Sequence, residues 1–458
     1  MGIAFSAISL LITYRLARRS LVHGIVSVLT AGYLYGIVRA NLPQFGTYFI
    51  FDGAVVGLYA AQITHITQPF HTLDGQRLKH WVVFLMIWPL ALFFIPVQDP
   101  IVQLIGLRGN MFLLPFILIG ARLSKEQIYE VGFYTSLLNV GALFFGTLEY
   151  VFGIEHFYPY NAVTEIIYRS NDVGSMDAFR IPAVFANAHT YAGMMVLSLP
   201  WLVGGWVQRH RKVWQKNVFL AGVLAAMLGV FMSAVRTHFV LLLILITVFT
   251  FSTRLRPVYR VGWIMILILV GYVVATHERM QRFTTLSNPD TVTSRIQASV
   301  NVSLIEAVQQ FPFGNGLGGG GTSMPYFLLD RVDHPITVES EIGRIQLETG
   351  LIGMTAWVCF VFWIFTRPGS RHGDPWFLSF RLAWFACIAF FIVGFIGIGL
   401  FTSIPATASF LMLLGWLSTH HTSEADRRVM AFRPGFFDPR TLGGRFIPGY
   451  QQREITRT

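Results

Sequence analysis

Apolar stretches of about 16 to 22 residues recur along nearly the whole chain, each long enough to cross a hydrocarbon core of about 30 Å as a helix. In lipid a backbone must satisfy its own hydrogen bonds, which leaves helices or closed barrels. The short alternating strands of a barrel are absent from this sequence. The 458 residues are 54% hydrophobic and only 12% charged, against about 25% charged for soluble domains. The expected class is therefore all-α: a polytopic membrane bundle of about 13 transmembrane helices with a large helical loop on the outer side.

Crossings are expected at about 2–14, 20–38, 46–64, 81–98, 102–121, 130–151, 184–207, 217–235, 237–253, 261–276, 351–366, 379–398 and 400–418. Cytoplasmic loops collect Lys and Arg, and alternate loops here do so. They hold Arg15, Arg18 and Arg19; Arg77 and Lys79; Arg122 and Lys125; Arg209, Arg211, Lys212 and Lys216; Arg254, Arg256 and Arg260; Arg367 and Arg371. The formal charge of +11 is thus mostly a topology signal, and no nucleic acid partner is expected. Basic clusters flank both sides of the apolar run 217–253, so a hairpin is required there. Its apex falls at "SAVRTH", Ser233 to His238, which puts Arg236 on the outer face. The same alternation places loops 152–183 and 277–350 outside. Residues 1–419 form the transmembrane domain and 420–458 a basic cytoplasmic tail. The arginines Arg15, Arg18 and Arg19 follow the first apolar stretch, which is not the order of a signal peptide.

Polar residues that topology does not explain gather on the outer side. Arg180 opens "RIPAVFANAHTYAG", and Arg236 stands at the hairpin apex. Arg295 begins a helix whose Ile296, Val300, Leu304, Ala307, Val308 and Phe311 share one face until Pro312 stops it. Each arginine alone reads as an interfacial anchor. Three facing one compartment suit phosphate oxygens, which a guanidinium fork binds in pairs. Arg108, in "IGLRGNMFLLPF", has two readings. It is either an intramembrane arginine that must be paired or wet, or a flanking residue of a helix that starts near Asn110. Asp52, inside the third crossing, is a thin sign of an ion pathway.

Gly314, Gly316 and Gly319 satisfy GxGxxG, but without a βαβ unit they read as a tightly turning or flexible loop. No HxxxH or HExxH spacing occurs, so neither metal nor other cofactor is expected. Cys359 and Cys387 lie in apolar runs and read as packing residues. The acidic run "VESEIGRIQLETGLIG", Val338 to Gly353, stands directly before a crossing. In one reading Thr337 caps a short helix with Glu339 and Glu341 in its first turn, where the helix dipole favours acids. In the other, a carboxylate or His334 accepts a proton from a hydroxyl on the outer side.

In this order, the segments from Arg180 to Gly353 resemble the bacterial O-antigen ligase and polysaccharide polymerase superfamily of WaaL-like and Wzy-like proteins. "RIPAVFANAHTYAG" looks like the family's Arg-containing lead into a central helix, and "SAVRTHF" resembles its Ser-x-x-Arg hairpin. "SRIQASVNVSLIEAVQQFPFGNGLG" is similar to its Arg-led surface helix and Pro-x-x-Gly-x-Gly turn. "ESEIGRIQLETGLIG" looks like its loop helix running into Glu-x-Gly-x-x-Gly. The resemblance implies a metal-independent, inverting glycosyltransferase in the bacterial inner membrane, with its active site facing the periplasm. Its donor is a polyprenyl-diphosphate-linked oligosaccharide, its acceptor a sugar, and a polysaccharide export or chain-length protein is a possible partner. Arg180 and Arg236 inherit the diphosphate-binding role, joined by Arg295, and Glu339 or His334 stands as the catalytic base; Arg108 is a fourth substrate-binding candidate by its place inside a crossing and not by the resemblance.

Ligases of this superfamily carry a His-Asn pair where this chain has Glu339 and Ser340, counting back from Gly350 without gaps. The expectation is therefore a polymerase of O-antigen, capsule or exopolysaccharide repeat units. The alternatives are a ligase that delivers the glycan to lipid A core, and a transporter or flippase of lipid-linked sugars. Glu341 and Glu348 read as helix-end and packing residues.

Overall fold

The computed structural model describes residues 2–66, 73–168, 179–208, 211–252, 289–320, 330–333, 340–367, 374–395 and 399–419, with scattered positions between them. Among these residues the regular structure is helical and no strand occurs. The chain divides into two compact units, Met1–His421 and Thr422–Thr458. The second, which holds most of the expected cytoplasmic tail, lies outside the described residues.

The first unit runs α1 (Gly2–Arg19), α2 (Leu21–Asn41), α3 (Ile50–Ile66), α4 (Leu73–Phe93), α5 (Pro100–Met111), α6 (Pro115–Arg122), α7 (Lys125–Phe152) and the short α8 (Glu165–Tyr168). It continues with α9 (Ala188–Trp206), α10 (Val213–Ser233), α11 (Arg236–Ser252), α12 (Pro289–Ile296) and α13 (Ala307–Gln310). Last come α14 (Glu341–Phe365), α15 (Phe377–Val393) and α16 (Ala406–Thr419). Among the described residues five spans are long and apolar enough to cross a membrane: Leu21–Asn41, Pro100–Arg122, Lys125–Phe152, Val213–Ser233 and Glu341–Phe365. By length and composition this is a membrane protein.

Side chains satisfy the first amides of several helices, which fixes where those helices begin. Ser20 accepts from Val22, Asp99 from Ile101 with Pro100 next to it, and Asn187 from Thr190. Ser124 and Gln127 close a reciprocal capping box at the start of α7. Two helices are buried almost all round, α9 from Ala188 to Gly205 except His189, and α16 from Ala406 to Ser418. A helix apolar on every side belongs at the centre of a bundle. The close packing of α6 on α16 rests on Gly120 and Gly415, where a Cβ would meet the carbonyls of Met412 and Ile117.

The hairpin expected at Ser233 to His238 is present, with Ala234 left-handed (φ 53°) between α10 and α11. Other boundaries differ from the sequence expectation. The crossing expected at 102–121 is divided by a turn at Phe112–Leu114. The surface helix expected from Arg295 is α-helical over Pro289–Ile296, π-helical over Gln297–Glu306, then α-helical again over Ala307–Gln310. Ala307 alone of its expected apolar face is fully buried, against Val338 and Leu347.

Helix α14 begins at Glu341, in the stretch read as a loop helix, and continues past Gly350 into the crossing expected at 351–366. Its cap is Ser340, whose Oγ accepts from the Gly343 amide at 2.9 Å, and not Thr337. Thr337 itself lies outside the described residues. The helix is broken at Gly350 (φ 69°, ψ −177°), a conformation essentially restricted to glycine. The glycine-rich turn takes up the backbone groups freed by the break. Asn315 N–H donates to Leu347 O at 2.6 Å, and Leu351 N–H donates to Pro312 O at 3.0 Å. Trp88 Nε1–H donates to Thr349 O at 2.9 Å.

A Cβ on Gly350 would lie 2.8 Å from the Phe313 carbonyl, whereas one on Gly141 in α7 has nothing within 4 Å. Gly350→Ala is expected to destabilise the protein by about 1–3 kcal/mol. Gly141→Ala should be neutral or stabilising by about 0.5–1 kcal/mol. Thermal unfolding of both variants in detergent checks this, and equal midpoints for the two would contradict it.

Candidate functional site

Charge is scarce among the described residues inside this bundle, and the buried ionic group at the start of α14 is held by matched partners. Glu341, Arg344 and Glu348 are buried, with the side chain of Arg344 1% exposed and those of both glutamates 0%. Spacings of three and four residues put all three on one helix face. Arg344 Nε donates to Glu341 Oε1 and Arg344 Nη1 to Glu348 Oε2, each at 2.7 Å. Glu341 Oε2 also accepts from the Gly399 amide at 2.8 Å, and Glu348 Oε2 accepts from Asn110 Nδ2. The start of α14 is thereby bound to α5 and to the turn before α16. Backbone bonds from Glu341 N–H to Gly394 O (2.8 Å) and Gly397 O (2.9 Å) reinforce the second junction.

A second arrangement surrounds the lead into α9. Residues 181–185 form a strap across the end of α2, where Gly36 leaves no space for a Cβ against the Phe185 and Ala186 backbone. Buried Glu149, near the end of α7, accepts the Ala183 amide at 2.9 Å, and Ala183 is left-handed (φ 49°). The Tyr158 hydroxyl lies within hydrogen-bond distance of both Ala183 O (2.5 Å) and Phe185 O (2.8 Å). Burial holds the Tyr158 phenol well above the ordinary tyrosine range. The Glu149 carboxyl adds to that push and the Arg39 guanidinium opposes it. Tyr158 is therefore a neutral donor.

The strap presents Arg180 at the start of α9. Its Nη1 lies 2.8 Å from His189 Nε2. A guanidinium only donates, so His189 Nε2 is the acceptor in this contact. The His189 ring packs edge-on to His238 with centroids 6.3 Å apart. Val235 is buried against Ala188 and Ala192. These contacts bring the first turns of α9 and α11, and with them Arg180 and Arg236, to one end of the bundle.

The start of α3 reaches the same end. Arg108 binds Asp52 with both arms of its fork, Nε to Oδ2 at 2.7 Å and Nη2 to Oδ1 at 2.5 Å. A cleft of about 60 Å³ beside this pair is lined by Phe51, Ile105, Phe112, Phe401, Thr402 and Ile404, among others. Pro405 and Phe51 both pack on Gly32 of α2, and Ala406 lies near Gly193 of α9 and His238. The segment 401–406 thus joins the cleft to the Arg180–His189–His238 group.

The sequence-based site residues fall into three groups. Arg180 and Arg236 lie at the same end of the bundle, on either side of the His189–His238 contact, and Arg108 takes the paired reading, with Asp52 as its partner. His334 and Glu339 lie outside the described residues. Arg295 belongs to α12, but its side chain is likewise outside them. Sequence reading missed His189, Glu149, Arg39 and the pairing of Glu341 and Glu348 with Arg344. The spacing of the last three was the available signal. Among the described residues no group of three His, Cys, Asp or Glu side chains is placed to hold a metal ion. No family model, curated protein or solved structure matches the chain.

Replacing Arg344 by Met would leave two buried carboxylates facing each other, and breaking such a network typically costs about 3–5 kcal/mol. Glu348→Gln, which keeps hydrogen-bonding capacity and removes a charge, should cost much less. Unfolding midpoints and yields of monodisperse protein decide this. A tolerated Arg344→Met would contradict it.

Proposed function

We propose that this chain is a glycosyltransferase of the outer face of the bacterial inner membrane, joining polyprenyl-diphosphate-linked oligosaccharide repeat units into a polysaccharide. In this reading the bundle crosses the membrane about thirteen times, and the end bearing Arg180 and Arg236 faces the periplasm. The observation that carries it is the placement of those two arginines at one end of the bundle, Arg180 against His189 in the lead into α9 and Arg236 in the first turn of α11, where His189 packs on His238. Two guanidiniums at one end of an apolar bundle suit a diphosphate leaving group, whose charge grows as its bond to the sugar breaks.

In the proposed step an acceptor hydroxyl oxygen attacks the anomeric carbon of the donor sugar from the face opposite the diphosphate. The new glycosidic C–O bond forms as the C–O bond to the diphosphate breaks. The electron pair leaves with the polyprenyl diphosphate, held by Arg180 and Arg236. The acceptor's proton passes to Glu339 or His334. Attack from the opposite face inverts the anomeric centre.

One feature favours polymerase over ligase. Ser340 stands where ligases carry the Asn of their His-Asn pair, and here it is a buried helix cap.

Removing one charge-stabilising donor of this kind typically slows reaction by about 100- to 1000-fold. Arg236→Ala should therefore abolish polymer formation while leaving membrane insertion and the unfolding midpoint near wild type. Polymer of unchanged yield and length from that variant would overturn the proposal.

A further inference from the structure

Arg39 lies in the last turn of α2, and its guanidinium carbon is 5.0 Å from the centroid of the Tyr35 ring and 5.6 Å from that of Tyr48. Its Nη1 donates to Tyr35 Oη at 3.3 Å, and Tyr35 Oη donates in turn to the Tyr48 carbonyl at 3.3 Å. Two rings and one hydrogen bond thus fix the guanidinium in place. No carboxylate among the described residues pairs with it, and its Nε is buried without a hydrogen-bond partner. A cation at a helix C-terminus is favoured by the helix dipole, but that effect needs only a charge. A stacked fork with unused donors is a feature of arginine.

The surroundings of Arg39 narrow its use. Two turns earlier in α2, Gly32 packs against Phe51 of the cleft, and one turn earlier Gly36 packs against Phe185 and Ala186 at the end of the strap that presents Arg180. Arg39 therefore ends the helix that touches both the cleft and the strap.

We infer that Arg39, held between Tyr35 and Tyr48, is an additional anion-binding group that takes one phosphoryl of the lipid-linked donor's diphosphate. The other phosphoryl belongs to Arg180 and Arg236. This inference rests on the glycosyltransferase reading above. It assigns Arg39 the part that sequence reading gave to Arg108.

The test is binding of undecaprenyl diphosphate, with undecaprenyl monophosphate as a second probe, to the full chain in lipid nanodiscs. Wild type, Arg39→Ala and Arg39→Lys are compared, with unfolding midpoints measured in parallel. Loss of hydrogen bonds to a charged group should weaken diphosphate binding by about 10-fold or more in Arg39→Ala. Arg39→Lys keeps the charge without the fork and should lose less, and it serves alone if the alanine variant does not fold. Monophosphate binding should be unchanged in both. Diphosphate affinity equal to wild type in the variants would overturn the inference and leave the glycosyltransferase reading standing. Equal losses for both probes would make Arg39 a structural support and also overturn it. A wild-type chain that binds neither probe would contradict the glycosyltransferase reading, and the inference with it.

Discussion

The ionic group Glu341–Arg344–Glu348 holds one negative charge more than it neutralises, and all of it is buried. Moving each ion out of water costs several kcal/mol even after relaxation, so such a group persists only where geometry and added hydrogen bonds offset that cost. Here both are present. The helical spacing aligns the two carboxylates on one guanidinium, while the Gly399 amide binds the second oxygen of Glu341 and Asn110 shares Glu348 Oε2 with Arg344. These partners come from α5 and from the turn before α16, so satisfying the charges also fixes three parts of the chain relative to one another. The break at Gly350 follows directly after, and the glycine-rich turn at 312–315 closes over its freed backbone groups.

Arginines at this end of the bundle have two kinds of surroundings. Arg344 and Arg108 are bound to carboxylates and act as fasteners. Arg180, in the lead into α9, lies against His189, Arg236 opens α11, and Arg39 lies in the last turn of α2 between two tyrosine rings. Arg39 differs from the fasteners in that no carboxylate among the described residues pairs with it. Glu149 belongs with the fasteners, because its carboxyl holds the left-handed Ala183 and so sets the path of the strap.

Much of the fold was readable from apolar run length alone, since the backbone in lipid has few options. The hairpin at Ser233 to His238 was readable too, because charge alternation left no other place for a turn. The start of α14 was readable in part. Glu341 and Glu348 read as helix-end and packing residues, but their joint pairing with Arg344 emerges only when i, i+3 and i, i+4 partners are considered together. Arg108 and Asp52 were each conspicuous, yet 56 positions separate them and nothing in the sequence joins them. Arg39 drew no reading from the sequence: Tyr35 is one helical turn away from it, but Tyr48 becomes its neighbour only once the chain turns back between α2 and α3. For Arg180 and Arg236 the sequence implied a shared side of the membrane, and the packing of Val235 on Ala188 and Ala192 supplies their proximity.

The central claim is that this end of the bundle transfers glycans from a diphosphate lipid. Mass analysis of the products formed by purified protein supplied with native lipid-linked oligosaccharide tests it most directly. The account predicts a ladder of products differing by whole repeat units, with release of polyprenyl diphosphate. Oligosaccharide recovered unextended, from protein shown to be folded and to bind the lipid, would contradict it.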